Sequence, residues 1–482
     1  MTTLSDFMSQ NHTNEINPSA INNGKCVLPK TTLNEVIQLS AEFPISFPIL
    51  SAKCESLKKI VSGEFLERNI RSVYPIIHEK ILILYTNFLC HKRKFGSKVE
   101  KEVYKDMTVV DLVDRLLKKR AICFVGVMDA WKLRDGKEGV GDWESIGTDD
   151  ETILQLKDYL SYDEIKLSAF LSVSSYTYFI NDGSRQNRGI LEEDRTKVED
   201  EGIIMGLIGA RLVKRNIMEY QDIVIDKEQN IVKNGYGSTS AASINLMYSE
   251  FYNKINMTYS EFLNSEHNID YINFKWLQND DYFDNLTFSK RISLTLDTFL
   301  LEANTRAKKY INKFAYVHLV GIGLGVWMKS THQLDVFTRT VSQRIISLGT
   351  HLNNISDVDL SYIQAISCGN YNSGDKIPIE GHPNGGINIY LTKNRPHTRL
   401  KNIHAGKLRV VSYAWDANAF PGNEYWSGSL QSTSGAAAAC STQVTELHNP
   451  YINKMLCGAN LHIATAEDGV IHIDHFLKSI NK

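Results

Sequence analysis

The amino-acid sequence predicts an α/β fold, because short apolar runs typical of buried strands alternate with segments of helical spacing. One run, Leu-Arg-Val-Val-Ser-Tyr-Ala-Trp at 408–415, is rich in β-branched and aromatic residues and stops at Asp416. A second run, Ala-Tyr-Val-His-Leu-Val at 315–320, stops at a glycine cluster, and a helical pattern follows from Asp335. Both loops follow the carboxyl end of a predicted strand, where open α/β sheets bind their ligands.

The loop after residues 408–415 concentrates polar side chains. Two carboxylates and two carboxamides surround a Pro-Gly turn, and they are Asp416, Asn418, Asn423 and Glu424. Residues 432–440 continue with Ser, Thr and Gly and then alanines, which indicates the start of a helix. Such a loop can hold a polar ligand, although turns favour the same residue types for structural reasons.

The loop after residues 315–320 carries glycines at alternate positions, Gly321, Gly323 and Gly325. Glycines allow a backbone to approach an anion closely, and the N–H groups of such a loop can cradle a phosphate. The spacing matches neither the dinucleotide fingerprint nor the P-loop, which argues against ordinary nucleotide hydrolysis by a P-loop. A tight packing turn explains the glycines equally well.

A glycine loop for a diphosphate and an Asn/Asp/Glu loop, each after a strand, are the parts that an ADP-ribose pocket needs. Four segments carry a resemblance to a known family: YAWDANAFPGNEYW (413–426), YVHLVGIGLGVW (316–327), SYTYFINDGSRQNRG (175–189) and EGIIMGLIGARLVKRNIMEYQDIVI (201–225). In these segments the chain resembles the MavL-type macrodomain effectors of Legionella, a group similar to poly(ADP-ribose) glycohydrolases. The resemblance implies a macrodomain-like mixed sheet with flanking helices.

The same resemblance implies an ADP-ribosylhydrolase that removes arginine-linked ADP-ribose from ubiquitin. It further implies a secreted bacterial effector that acts in a host cytoplasm. The glycine loop precedes the acidic loop here, which reverses the common macrodomain order, so we expect a permuted or elaborated version of that fold. Two alternatives are a non-catalytic ADP-ribose reader and an effector that captures a host ubiquitin-conjugating enzyme.

Asp416 and Glu424 are the predicted catalytic residues. Cleavage of an N-glycosidic bond leaves oxocarbenium character on the ribose, which a carboxylate can stabilise while it activates a water. Either carboxylate can be the base, and the other then orients the ribose hydroxyls. The predicted ligand-binding residues are Asn418 and Asn423 as clamps, Gly321, Gly323, Gly325 and Val326 as backbone donors to the diphosphate, and Asn181 and Arg185 in a polar turn.

Arg185 can hold a diphosphate bidentately, or it can pair with the acidic residues 192–194. We expect no metal and no cofactor, with ADP-ribose as ligand and product. The expected partner is an ADP-ribosylated protein, which is ubiquitin under the resemblance.

The chain divides into three predicted regions. Residues 1–28 are polar and rich in asparagine, and we expect them to be disordered. Residues 29–119 show helical spacing and predict a helical region that acts as a scaffold or a partner-docking module. Residues 120–482 predict the macrodomain-like ADP-ribose-binding domain, with a helical insertion at about 240–310.

Composition narrows the function classes. The 482 residues are 43% hydrophobic, enough for a large core, and the net charge of -2 argues against a nucleic-acid binder. Seven cysteines without a C-x-x-C pair indicate reduced thiols. No apolar run reaches membrane-spanning length and the first residues lack a signal-peptide pattern, so we expect a soluble protein.

Overall fold

A ten-stranded mixed sheet forms the centre of the protein. The computed structural model describes residues 3–10, 17–24, 27–238, 242–265, 273–311 and 313–480. The strands in these residues are β1 (Tyr74–His78), β2 (Cys123–Val125), β3 (Ala130–Lys132), β4 (Glu138–Val140), β5 (Ser172–Tyr178), β6 (Glu201–Leu207), β7 (Val224–Ile225), β8 (Phe274–Trp276), β9 (Tyr282–Asp284), β10 (Ala315–Val320), β11 (Ile355–Ser361), β12 (Lys376–Pro378), β13 (Gly386–Thr392), β14 (Leu408–Ala414), β15 (His462–Thr465) and β16 (Gly469–His472).

Helices connect and cover these strands. They are α1 (Leu4–Ser9), α2 (Pro18–Ile21), α3 (Leu33–Ala41), α4 (Cys54–Leu57), α5 (Gly63–Arg71), α6 (Glu79–Phe95), α7 (Lys98–Tyr104), α8 (Val109–Lys118), α9 (Tyr162–Ser168), α10 (Tyr220–Ile223), α11 (Ile244–Phe251), α12 (Tyr259–Leu263), α13 (Asn285–Lys308), α14 (Gln333–Leu348), α15 (Ser434–Ala439), α16 (Val444–Leu447) and α17 (Ile473–Ile480). None of the helices in the described residues is long and apolar enough to cross a membrane.

The strand order of the central sheet is β12-β13-β11-β10-β14-β6-β5-β1-β15-β16. The block from β13 to β6 is entirely parallel, whereas β5 runs antiparallel to β6 and to β1. Two small antiparallel sheets, β2-β3-β4 and β7-β9-β8, stand beside it. This architecture confirms the predicted α/β fold with a mixed sheet and flanking helices.

The parallel block separates two hydrophobic cores, because successive side chains of a strand point to opposite faces. Ile203 and Val410 belong to the core that α13 and α14 cover. Ile204 and Val411, each one residue further on, belong to the core that contains side chains of α6, α8 and α15. Burial on both faces explains why these strands appear in the sequence as continuous apolar runs.

Three regional predictions differ from the structure. Residues 1–28 include α1 and α2, where Phe7 and Ile21 are buried, so the expected disorder is wrong for these segments. Residues 1, 2, 11–16, 25 and 26 lie outside the described part of the chain. The predicted helical region 29–119 contains α3 to α8, and it also contributes β1, which pairs with β5 and β15 inside the central sheet.

The predicted helical insertion at about 240–310 is wrong at its carboxyl-terminal end. Helix α13 is the longest helix of the described chain, and its buried side chains, such as Leu296 and Phe299, pack in one of the two main cores. The preceding segment contributes β8 and β9 to a small sheet with β7. The spacing of apolar residues does not distinguish an inserted helix from one that covers the sheet, because it is the same in both.

Candidate active site

The polar loops predicted from sequence meet at one edge of the sheet because their strands are parallel neighbours. Strand β10 lies between β14 and β11, with His318 beside both Val411 and Asp359. The acidic loop after β14, the glycine loop after β10 and Tyr362 after β11 therefore follow one another along the carboxyl edge. Adjacent strands are about 5 Å apart, so these three loops lie side by side.

A cavity of about 740 Å³ opens at this edge. Its floor is the sheet face formed by Ile204, His318, Val411 and Tyr413, and its walls include residues of the glycine loop, of α15 and of the turn that holds Arg185. Such a volume suits a ligand of nucleotide size. Within the described ranges, no group of three or more His, Cys, Asp or Glu side chains is placed to hold a metal ion.

The predicted glycine-loop residues occupy three different environments. Gly321 and Gly325 line the cavity, and a Cβ at Gly325 would meet no atom within 4 Å. Gly323 has φ +70° and packs against the loop after β6, where a Cβ built on Gly209 would lie 2.2 Å from the Gly323 nitrogen. Gly323 thus serves the close approach of two loops, and the side chain of Val326 is 90% exposed outside the cavity lining.

The acidic loop is braced by its own carboxamide. Asn423 Nδ2 donates to Asp416 Oδ2 at 2.9 Å and to the Phe124 carbonyl at 3.0 Å. Asn423 Oδ1 accepts from the Phe124 N–H at 2.8 Å. Asn423 therefore ties Asp416 to β2 instead of facing a ligand.

Asp416 is a carboxyl group with an unusual proton affinity. Burial raises its pKa to about 7, and the nearby negative charge of Glu424 acts in the same direction. The Arg211 guanidinium, the N–H of Asn418 at 3.0 Å from Oδ1, and Arg120 oppose this increase. At neutral pH Asp416 exists in both protonation states, which is the condition for general acid–base catalysis.

The two nearby arginines oppose the effect of burial on Asp416 without bonding to it, and each donates hydrogen bonds to other groups. Arg211 Nη2 donates to Asp129 Oδ1 at 2.8 Å. Arg120 donates to the carbonyls of Leu116 and Ala417 and lies over the Trp415 ring at 4.2 Å. Neither forms an ion pair with Asp416 in the described structure, so burial dominates its pKa.

Glu424 connects the acidic loop to the cavity. Its Oε2 accepts from Thr433 Oγ at 2.9 Å, and Thr433 directly precedes Ser434, which lines the cavity. Ser434 Oγ in turn accepts from the Ala414 N–H at the end of β14, at 3.2 Å. Glu424 therefore reaches the cavity wall through Thr433, whereas Asp416 lies on the same loop and is not among the residues that line the cavity.

Asn418 is the most conspicuous polar group beside Asp416. Its side chain is only 1% exposed, yet neither Oδ1 nor Nδ2 has a hydrogen-bond partner among the described residues. A buried carboxamide without partners costs stability of about 1–3 kcal/mol per unpaired group. Such a group is expected where a ligand supplies the missing hydrogen bonds.

Asn181 and Arg185 differ in role although both lie in one turn. Asn181 Oδ1 accepts from the Gly183 N–H at 3.0 Å and its Nδ2 donates to Asn187 and Ile190, so this carboxamide holds the turn. Arg185 is exposed and lines the cavity. The acidic run at 192–194 pairs instead with Lys197, at 3.7 and 3.4 Å, which leaves Arg185 available to an anion.

Sequence reasoning missed Tyr362, which follows β11. Its φ is +61°, an uncommon conformation for a bulky residue, and its side chain lines the cavity while 53% exposed. Strained residues of this kind cluster at ligand sites because the surrounding structure holds them there. No local pattern marks the position, since the run Ile-Ser-Asp-Val-Asp-Leu-Ser before it predicts only a strand.

Comparison with known proteins assigns a family. The model of the family described as ADP-ribosylhydrolase MavL-like matches residues 34–479. ADP-ribosylarginine hydrolase CG2909 of Drosophila melanogaster is 43% identical over 461 residues, which covers 93% of this chain and 90% of that protein. ADP-ribosylarginine hydrolase CG3568 of the same organism is 41% identical over 454 residues, which covers 92% of this chain and 87% of that protein. The chain therefore belongs to the MavL-like family of ADP-ribosylhydrolases, enzymes that hydrolyse a glycosidic bond.

Proposed function

We propose that the protein hydrolyses the N-glycosidic bond that joins ADP-ribose to an arginine side chain. The observation that carries this proposal is Asp416, a carboxyl group of pKa about 7 on the same loop as Glu424, which bonds Thr433 next to the lining residue Ser434 of a nucleotide-sized cavity. The two Drosophila relatives are named ADP-ribosylarginine hydrolases, which supports arginine as the linkage.

The order of the loops along the sheet edge matches the order of the parts of ADP-ribose. The acidic loop follows β14, the glycine loop follows β10, and Tyr362 follows β11. We therefore place the reacting ribose beside Asp416 and Glu424, and the diphosphate on the glycine loop with Arg185. The adenine then lies beside Tyr362, where an aromatic ring can stack on the base.

The reaction balances with one water molecule. The water oxygen bonds to the anomeric carbon and gives its proton to a carboxylate, Asp416 or Glu424. The bond from the anomeric carbon to the arginine nitrogen breaks, its electron pair stays on that nitrogen, and the guanidine takes up the proton. The negative charge of the carboxylate pair also stabilises the oxocarbenium character of the ribose as the bond breaks. Asn418, whose carboxamide has free hydrogen-bonding atoms beside Asp416, orients the ribose hydroxyls.

The target protein that carries the ADP-ribose is part of what we propose. Arginine-ADP-ribosylated ubiquitin is the first substrate to test, because the resemblance to Legionella effectors implies it. Secretion and action in a host cytoplasm, and capture of a ubiquitin-conjugating enzyme, follow from that resemblance alone.

The test is turnover of a defined substrate. An arginine-ADP-ribosylated peptide and ubiquitin modified in the same way are incubated with the wild type and with an Asp416→Asn, Glu424→Gln double variant, and released ADP-ribose is measured by mass spectrometry. We expect release by the wild type and loss of release in the double variant. Asp106→Asn, at an exposed position between α7 and α8, is the matched control. Binding of ADP-ribose without release from either substrate would contradict the proposal.

A further inference from the structure

The connection between α3 and α4, residues 42–53, contacts two segments that the proposed function uses, the acidic loop and the turn that carries Arg185. We call it the strap. It contains no regular helix or strand, yet Phe43 and Ile45 point inward and are buried, whereas the intervening Pro44 and Ser46 are exposed. The strap thus presents the apolar side chains of Phe43 and Ile45 to the protein.

The strap contacts the acidic loop immediately after Glu424. The rings of Phe43 and Phe47 lie 5.4 and 5.1 Å from the ring of Trp426. Tyr425 Oη donates to the Ile49 carbonyl at 3.3 Å. Tyr425 and Trp426 are the next two residues after Glu424, so the strap holds the segment that carries this carboxylate.

The strap also contacts the turn that carries Arg185. Ser51 Oγ donates to the Gly189 carbonyl, and a Cβ at Gly189 would lie 2.2 Å from Ile49 Cδ1. Gly189 has φ +73°, so both its conformation and the contact with Ile49 require glycine. One segment therefore packs against both the acidic loop and the turn that carries Arg185.

A single buried carboxylate holds both ends of the strap. Ser40 Oγ, at the end of α3, donates to Glu446 Oε1, and the Cys54 N–H, at the start of α4, donates to Glu446 Oε2 at 2.6 Å. Glu446 is fully buried in α16. The strap is consequently anchored to the core rather than tethered only through the chain.

We infer that the strap is a positioning element of the hydrolase, in which Phe47 acts on Glu424 through Trp426 and Ser51 acts on Arg185 through Gly189. This inference rests on the roles proposed for Glu424 and Arg185. Displacing a reacting group by about 1 Å can cost about 100-fold in rate even when the mutated residue does not touch the substrate.

The two halves of the strap predict different kinetic effects. Phe47→Ala removes the ring against Trp426, and we expect kcat to fall about 10- to 100-fold while the Kd for ADP-ribose stays within about twofold. Phe47→Tyr keeps the ring, and its hydroxyl can reach solvent because Phe47 is only partly buried, so kcat returns towards the wild-type value. Ser51→Ala removes the bond to Gly189, and we expect a weaker Kd for ADP-ribose with kcat largely retained.

Phe95→Ala is the matched control, because Phe95 is a partly exposed phenylalanine at the end of α6, outside the cavity lining. Hydrogen–deuterium exchange of the folded protein supplies a readout that does not depend on turnover. We expect Phe47→Ala to accelerate exchange at 421–428 and Ser51→Ala to accelerate it at 183–189, each without a general increase.

The outcomes separate the two proposals. A wild type that releases no ADP-ribose overturns the proposed function, and the exchange pattern still tests the strap. An active wild type with unchanged kcat in Phe47→Ala, or a variant that loses kcat and affinity together with a general increase in exchange, overturns the positioning role and leaves a purely structural one.

Discussion

Replacing Asp416 by asparagine is expected to stabilise the protein at alkaline pH. Asp416 has a pKa of about 7 in the folded protein, whereas its ordinary value is 3.8. Below about pH 4 the carboxyl group is protonated in both states and contributes no pH dependence. Between the two pKa values the unfolded chain releases a proton that the folded protein retains, so stability falls as the pH rises.

The magnitude follows from that difference. Each pH unit between the two pKa values corresponds to about 1.4 kcal/mol, so from pH 5 to pH 8 the loss in the wild type is about 2–3 kcal/mol. Asparagine does not ionise and removes this loss. The amide group of the variant faces the Nδ2 donor of Asn423, and this contact lowers the free energy of unfolding by about 1 kcal/mol at every pH. The informative quantity is therefore how much the effect of the substitution on the free energy of unfolding differs between pH 5 and pH 8.

The assay is denaturant unfolding at pH 5 and pH 8, followed by circular dichroism, for the wild type, Asp416→Asn and the surface control Asp106→Asn. We expect the free energy of unfolding of Asp416→Asn, relative to the wild type, to be about 2–3 kcal/mol higher at pH 8 than at pH 5. The control should show no such difference. An equal effect of Asp416→Asn at both pH values would refute the argument that burial raises this pKa.

Three further predictions concern rate, binding and stability. The plot of the rate of ADP-ribose release against pH should show an inflection near pH 7, where Asp416 titrates. Asp416→Asn should remove this inflection and lower the rate by about 100-fold or more. An inflection that persists in the variant would assign it to another group. Tyr362→Ala should weaken ADP-ribose binding about 5- to 150-fold in calorimetry but leave ribose 5-phosphate unaffected, because stacking contributes about 1–3 kcal/mol per base. The exposed Trp276→Ala is its control, and equal losses for both ligands would contradict stacking. Asn423→Ala should lower the free energy of unfolding by about 2 kcal/mol or more, because it leaves polar groups of Phe124 and Asp416 without these partners. The exposed Asn34→Ala in α3 is its control and should not lower it, and an unchanged unfolding midpoint of Asn423→Ala would argue against the brace.

Much of the fold was accessible from sequence because its central strands are buried on both faces. Strands β10 and β14 appear as continuous apolar runs that end at a glycine cluster and at Asp416, and both predictions of a strand followed by a loop are confirmed. Strand β1 was missed because Pro75 interrupts a short apolar stretch flanked by helical spacing. A five-residue strand inside such a region carries too little periodicity to be recognised.

The candidate site was only partly accessible. Asp416, Asn418, Asn423 and Glu424 could be grouped because they share one loop, and Arg185 could be named from its polar turn. The division of labour among them was not accessible, since Asn423 and Asn181 prove to brace backbone while Asn418 keeps free hydrogen-bonding atoms. The side-chain types are the same, and only their surroundings differ.

The sequence by itself determined the α/β class, the two loops after β10 and β14, and membership of the hydrolase family, because these depend on residues that are neighbours along the chain. Only the tertiary structure decided the raised pKa of Asp416, the strained backbone of Tyr362 and the contacts of the strap with the acidic loop and with the turn that carries Arg185. The physical reason is that burial and electrostatic interaction are set by residues distant in sequence. Arg120 and Arg211 approach Asp416 only in the folded protein, where both lower its pKa and neither forms an ion pair with it among the described residues.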